Sequence, residues 1–331
     1  YGGVNIEAVG GGAGLVNMEL AEVNRMGCKV RFNVAAVHLS QDRQRRITGL
    51  VAIGPDGYEN FKTKAIVLAC GGFESNPEMR VRYLGPGWDL ARVRGTRHNM
   101  GDGIRMALEI GAQPFGNWSG CHSVGWDISA PPYGDYEVLD NFQKHSYPWG
   151  IIVNLDGNRF VNEGEDLRNH TYVRIGREIM NQRQRTAIQI FDQKTIPLLR
   201  DEYRIKQVTK HTGNSIEELA LQLEIDPRKL RTTISEFNNA CPKDGLKNCF
   251  NPAILDGVST EGLAINKTNW ALPIDKPPYE AYVTTTGVTF TFGGLKINGL
   301  GAVMDISERT IPGLFAAGEL VGGLFYENYP G

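Results

Sequence analysis

The spacing of hydrophobic and polar residues changes period along the chain, and each change predicts a new element. The first 64 residues predict a helix over 15–26, a strand over 29–39, and the two arms of a hairpin over 47–53 and 59–64. Gly27 stands where a C-cap glycine belongs, and Pro55-Asp56-Gly57 supplies the hairpin turn. A further helix is predicted from about Asp102 to Ile110, with Gly111 ending it.

Two wholly apolar strands end in glycine pairs far apart in the sequence, in "IVLACGGF" (66–73) and "GLFAAGELVGG" (313–323). A strand with no polar alternation is expected to be buried on both faces, as in a parallel sheet. Glycines at its carboxyl end let the backbone approach a ligand closely. Glu319 adds a carboxylate that could accept hydrogen bonds from a ribityl or ribose chain. The alternative interpretation is that these glycines only form the ordinary turns between a strand and the following helix.

The middle of the chain is patterned differently. Residues 117–147 show little periodicity and many aromatics, which predicts a long loop. Ser215-Ile216-Glu217-Glu218 is a capping box, and Asp226-Pro227 supplies an N-cap and an N1 proline, so two helices are predicted between 215 and 240. Short strands are predicted over 151–154, 159–161, 186–191, 282–286, 293–297 and 302–305, leading to a last strand around Phe315.

Composition narrows the class of protein. The 331 residues are 41% hydrophobic and 22% charged, with a formal charge of −2, which suits two domains or one domain with a large insertion. The absence of a basic run argues against a nucleic-acid partner, and no apolar run approaches the roughly 18 residues of a membrane span. The five cysteines lack metal-binding spacing, so no metal is expected. Buried free thiols in a reducing, cytoplasmic compartment are favoured over a bridge between Cys241 and Cys249.

Five stretches together carry a resemblance to a known family. They are "VLACGGF", "MGDGIRMALEIGA" (100–112), "NLDGNRFVNEGEDLRN" (154–169), "TFTFGGLKIN" (289–298) and "IPGLFAAGELVGG" (311–323). In this order they resemble the fumarate reductase/succinate dehydrogenase flavoprotein family, closest to its tricarballylate dehydrogenase-like and 3-ketosteroid dehydrogenase-like branch.

The resemblance implies an α/β fold in which an incomplete Rossmann-like FAD-binding domain is interrupted by an α+β capping domain. The FAD-binding domain would comprise residues 1–118 and 291–331, and the capping domain residues 119–290. Hinges are expected in the glycine-containing stretches 116–120 and 287–292. Family members begin before Tyr1 with a GxGxxG unit and continue past "NYPG" into a helix over the flavin. The chain is therefore expected to lack both, and to bind FAD weakly.

The resemblance also implies site residues. Arg168 matches an arginine that delivers a proton to substrate carbon, and Glu163, Glu165 and Asp166 are candidate carboxylates to hold it. The substrate-binding positions it implies are His122, Thr289 and Tyr329. The positions implied to contact a non-covalent FAD are Val34, Gly71, Gly72, Asp102, Phe290, Glu319 and Gly331.

The expected function is flavin-dependent hydride transfer at a C–C bond next to a carboxylate or carbonyl. The substrate would be a small carboxylate or ketone, tricarballylate-like by preference, and the electron donor or acceptor is not specified. One alternative is a 3-ketosteroid-type dehydrogenase with a tyrosine such as Tyr329 as base. An alternative of another class is a binding module without FAD.

Overall fold

The structure is a computed structural model that describes residues 8–243 and 250–329. Its helices are α1 (Gly11–Arg25), α2 (Pro77–Leu84), α3 (Asp102–Glu109), α4 (Arg168–Met180), α5 (Ile216–Gln222) and α6 (Pro227–Ala240). Its strands are β1 (Ala35–Gln41), β2 (Ile47–Gly54), β3 (Gly57–Lys62), β4 (Ile66–Leu68), β5 (Arg92–Val93), β6 (Pro114–Asp127), β7 (Ile151–Asn154), β8 (Ala187–Asp192), β9 (Lys210–Gly213), β10 (Tyr279–Leu295), β11 (Ala302–Met304) and β12 (Thr310–Ala316).

These strands form three sheets. The predicted hairpin is confirmed as β2 and β3, which with β1 make an antiparallel sheet. The two glycine-ended strands, β4 and β12, pair with each other in parallel, the sheet type predicted for such apolar strands, and β11 extends their sheet. The largest sheet is built around β10, which pairs with β5, β6, β8 and β9, while β7 joins through β8.

Two long strands connect the part of the chain around β4 and β12 with its middle. β6 and β10 pair antiparallel from Thr284↔Asp127 to Leu295↔Pro114, and so cross both predicted domain boundaries. The loop predicted over 117–147 is thus wrong up to residue 127, and the strands predicted over 282–286 and 293–297 are one strand. Most of β6 beyond Ser119 is buried, so its sequence has no alternation from which to recognise it.

Buried apolar side chains gather in separate cores on either side of this connection. One core joins Leu39, Ile66 and Ile104 with Leu314 and Leu320. Other cores lie wholly within residues 119–290, under α4 in one case and under α5 and α6 in another. The division into an FAD-binding and a capping domain, and the hinges between them, stay predictions.

Most predicted helices are found where the sequence places them. Ser215 Oγ accepts from Glu218 N–H, and Asp226 caps α6. The chain before Ala35 is not strand, so the strand predicted over 29–39 begins later. Burial of β4 on both faces is wrong, because Val67 is 63% exposed along that edge of the sheet. The thiols of Cys28 and Cys70 are exposed rather than buried, and Cys249 lies outside the described residues.

Candidate active site

The glycine turn after β4 packs directly against Glu319. Gly71 has φ +72°, and a β-carbon on Gly72 would lie 2.2 Å from both Glu319 Oε1 and Thr291 Oγ1. The N–H of Phe73 donates to Thr291 Oγ1 at 3.2 Å, and the N–H of Thr291 donates to Glu319 Oε1 at 2.8 Å. Glycine at position 72 is therefore required for this turn, Thr291 and Glu319 to form one interlocked unit.

A second carboxyl, Glu74, lies beside Glu319. It is 2% exposed and accepts a hydrogen bond from the Asn99 side chain, while its Oε2 is buried without a partner among the described residues. Burial and the charge of Glu319 raise the pKa of Glu74 to about 9, and burial also raises that of Glu319. Two carboxyls this close cannot both ionise cheaply. At neutral pH Glu74 keeps its proton and donates it towards Glu319.

Strand β10 has a β-bulge two residues before Thr291. Val288 pairs with Ser123 and Phe290 with His122, so Thr289 is an extra residue on β10. Between Thr284 and Leu295, Thr289 and Phe290 alone are half-buried while the rest of the strand is buried. The bulge thus turns two adjacent side chains of one strand towards the same open region.

Aromatic rings surround His122 at this point. Its imidazole stacks on Phe290, with ring centroids 4.9 Å apart, and meets Tyr329 edge-on at 4.8 Å. Its Nε2 lies 2.6 Å from the hydroxyl of Tyr172 on α4. Burial, followed by the charge of Arg94, lowers the pKa of His122 to about 3, so the ring is neutral at pH 7. In the tautomer protonated on Nδ1, Nε2 accepts the Tyr172 O–H bond and Nδ1–H is left to donate.

Arg168 reaches this cluster through a second histidine. It is the first residue of α4, and its Nη1 lies 3.2 Å from His145 Nδ1. The rings of His145 and Tyr172 are 4.9 Å apart. Burial and then the charge of Arg168 hold the pKa of His145 well below its usual value. Arg168, His145, Tyr172 and His122 therefore form a continuous row of side chains, which we call the proton row.

The carboxylates expected to hold Arg168 have other ion-pair partners. Glu163 is buried and pairs with Arg159, Glu165 pairs with Arg174, and Asp166 pairs with His170. These pairs order the loop that leads into α4. They do not point to any of the three as the group that positions the Arg168 guanidinium.

Arg94 is a further cation beside the bulge. Its guanidinium is held by both carboxylate oxygens of Asp140, and its Nη1 donates to Thr289 Oγ1 at 3.2 Å. The same group lies over the Trp126 ring, 5.9 Å from the ring centroid. Arg94 is thus fixed next to a predicted substrate-binding residue.

The structure brings most of the predicted site residues into two groups. Gly71, Gly72 and Glu319 form one, and His122, Thr289, Phe290 and Tyr329 form the other, with Thr291 between them. Asp102 is the exposed first residue of α3, and Val34 directly precedes β1, beside Gly54 of the neighbouring strand β2. Gly331 lies outside the described residues.

The sequence analysis missed four residues of these groups, namely Glu74, Arg94, His145 and Tyr172. Two of them had a signal, because Glu74 lies two residues after the first glycine pair and Tyr172 lies three residues after the family-like stretch that ends at Asn169. Arg94 and His145 belong to segments without a motif. Only their tertiary contacts identify them.

The residues around Gly72 fit FAD, the cofactor that the resemblance implies. Glu319 is an acceptor suited to ribityl or ribose hydroxyls, and Glu74 lies buried beside it with an Oε2 for which no protein donor is found among the described residues. The glycines at 71 and 72 keep side chains away from this surface. By contrast, no cluster of three metal-ligating side chains occurs in residues 8–243 and 250–329, and no helix within them has the length and apolar character to cross a membrane.

Comparison with known proteins agrees with this fit. The family described as FAD binding domain matches residues 3–331. A probable fumarate reductase, Ifc3, of Shewanella frigidimarina is 28% identical over 91% of this chain, and a urocanate reductase of Eggerthella lenta is 31% identical over 89%. Those matches cover 47% and 46% of the two relatives, so the chain spans about half the length of the curated relatives it matches.

A solved structure gives the same fold. The open conformation of a flavocytochrome c3 fumarate reductase superposes with a TM-score of 0.71 at 24% identity, covering 98% of this chain and 52% of that one. FAD is the cofactor of proteins with this domain. The chain belongs to the FAD binding domain family, among the flavoproteins of the fumarate reductase/succinate dehydrogenase type, as its motifs predicted.

Proposed function

We propose that the chain is the flavin- and substrate-binding part of an oxidoreductase that acts on a C–C bond next to a carboxylate or carbonyl. The observation that carries the proposal is the proton row. It begins at an arginine on the first turn of α4 and ends at a neutral histidine against Phe290, next to the unit of Gly72, Thr291 and Glu319.

In this proposal one group of residues binds the cofactor and the other lies at the substrate. Gly71, Gly72 and Glu319 hold the cofactor, and FAD, when bound, supplies the hydride acceptor or donor. Arg168 delivers or removes the proton at the neighbouring substrate carbon.

An arginine is a weak acid, with an ordinary pKa above about 12, so it can serve only if it is held at the reacting carbon. His145 contributes to this holding. Because its imidazole is neutral, it accepts from Arg168 without repelling it.

The identity of the substrate is a finer part of the proposal. A tricarballylate-like acid remains the prediction from the motifs, and Arg168 and Arg200, which share a cavity of 220 Å³ with His145, would be its cations. A 3-ketosteroid-type substrate is the second candidate, favoured by the wider cavity beside Thr289. A cytoplasmic location and an unidentified electron partner are proposed with it.

Anaerobic flavin spectroscopy tests the function. The chain is loaded with FAD, the flavin is reduced, and unsaturated acids or enones are added one at a time. Return of the oxidised flavin band with an unsaturated compound, and not with its saturated analogue, is the expected result. A chain that takes up no FAD would instead support the binding-module alternative. Reduced flavin that no such compound reoxidises would contradict the proposed reaction.

A further inference from the structure

A cavity of 450 Å³ opens beside Thr289 and has no role in the proton row. Its size falls within the roughly 300–1,000 Å³ of small-molecule pockets. Thr289 and Arg94 lie at one end, and Trp126, Tyr133, Tyr136 and Leu139 supply its apolar walls. The cavity thus joins a cation that touches the predicted substrate site to a surface suited to a flat ring.

The charges around this cavity limit what it can hold. The lining contains two arginines, Arg94 and Arg97, and two aspartates, Asp135 and Asp140, so its fixed charges balance, with Arg94 paired directly with Asp140. Asp140 and Thr289 engage three of the five guanidinium N–H groups of Arg94, and two remain for a ligand as far as the described residues go. One carboxylate can be accommodated there. A second or third would lie near two aspartates, with only Arg97 left as a further cation.

The second arginine is directed along the aromatic wall. Arg97 lies over the Tyr133 ring, 5.3 Å from its centroid, and has no ion pair with a described carboxylate. Asp135 is occupied within its own loop, where it accepts from the N–H groups of Glu137 and Val138. The Arg97 guanidinium therefore places a positive charge at this wall, which attracts the electron-rich face of a ring.

We propose that this cavity binds the ring of a cyclic monocarboxylate, with the carboxylate against Arg94 and Thr289. The inference rests on the proposed function and names its substrate class. It favours a single-ring or fused-ring acid over a linear di- or tricarboxylate such as the tricarballylate-like substrate.

Calorimetric titration of the FAD-loaded chain separates these classes. The probes are trans-cinnamate, cinnamyl alcohol, fumarate and tricarballylate. Cinnamate should bind at least about tenfold more tightly than each of the other three, since it alone combines the ring with one carboxylate. Equal or tighter binding of fumarate or tricarballylate would overturn the proposal.

A wall variant locates the ring. Leu139 is 56% exposed and has φ 55°, which asparagine adopts readily, so Leu139→Asn should fold normally. It should weaken cinnamate binding about fivefold and leave fumarate binding unchanged. Leu221→Asn, at an exposed leucine of α5, is the matched control and should change neither. Unchanged cinnamate binding in Leu139→Asn would place the ring elsewhere.

Competition distinguishes this inference from the proposed function. If FAD displaces cinnamate from the unloaded chain, the flavin fills the cavity, and the inference fails while the reaction stands. If cinnamate binds as expected but never reoxidises reduced flavin, the reaction fails while the ring site stands.

Discussion

Burial shifts pKa values in opposite directions in the two groups of site residues, the one around Gly72 and the one around the bulge at Thr289. Around Gly72 the buried titratable groups are carboxyls, and burial raises the pKa of Glu74. Around the bulge they are imidazoles, and burial lowers the pKa of His122 and His145. In both places the neutral form prevails at pH 7.

The two groups of site residues also differ in the sign of their charge. The cluster around the bulge contains the guanidinium groups of Arg94 and Arg168. The pair of Glu74 and Glu319 beside Gly72 has one shared negative charge. In the proposed function, proton transfer uses a fixed cation held by neutral partners, and cofactor binding uses carboxyls that share a proton.

The largest effect is expected from removing the fixed cation. Arg168→Ala should lower turnover of the FAD-loaded protein about 10³-fold, because a proton donor and its positioning vanish together. Arg231→Ala, an exposed ion-pair arginine on α6, is the control and should change turnover less than twofold. Turnover of Arg168→Ala within tenfold of wild type would remove Arg168 from the mechanism.

A smaller effect, on stability and FAD binding, is expected from Gly72→Ala. Its β-carbon would meet Glu319 and Thr291 at 2.2 Å, so the turn must shift at a cost of about 1–3 kcal/mol in the free energy of unfolding. Urea unfolding measures this cost, and FAD titration should show weaker binding. Gly12→Ala, where the new methyl group meets open space, should have neither effect. Unchanged stability of Gly72→Ala would mean that the turn is not tightly packed.

The last effect concerns the pH dependence of stability. The pKa of Glu74 rises from about 4.5 unfolded to about 9 folded, so the native state holds one extra proton between these values. Its contribution to stability is complete below pH 4.5 and is lost as the pH rises to 9. This adds a downward slope of at most about 1.4 kcal/mol per pH unit.

Glu74→Gln should flatten that slope, since the amide keeps the shape and cannot titrate. The measurement is the free energy of unfolding by urea at several values between pH 5 and pH 8.5. Glu78→Gln, which alters an exposed carboxylate of α2, should leave the slope unchanged. An identical slope in Glu74→Gln and wild type would show that Glu74 ionises normally.

The sequence predicted those parts of the molecule whose signals are local. Capped helices such as α5 and α6 and the hairpin needed only neighbouring residues. β6 was missed because residues 120–127 are all buried by elements distant in the sequence, so its pattern does not alternate. α4 was missed because its many polar residues hid the buried stripe that ends at Met180.

The candidate site shows the same limit. Gly72 and Glu319 lie in recognisable motifs and the structure brings them together, whereas His122 lies in a stretch without a matching motif. Arg94 owes its place to Asp140, 46 residues away, and His145 owes its place to Arg168, 23 residues away. No short stretch of sequence encodes such pairings.

The extra residue at Thr289 also has a consequence for how such a site can diversify. An uninterrupted ladder would couple every side chain of β10 to the register of the whole strand, so that exchanging a residue in the middle would disturb both cores. The bulge absorbs one residue locally, and β10 stays paired with β6 on either side of it. The pair at 289 and 290 can therefore be replaced by side chains of other size or polarity while both ends of the strand keep their partners. A lineage could change what the site accepts at this position without rebuilding the fold.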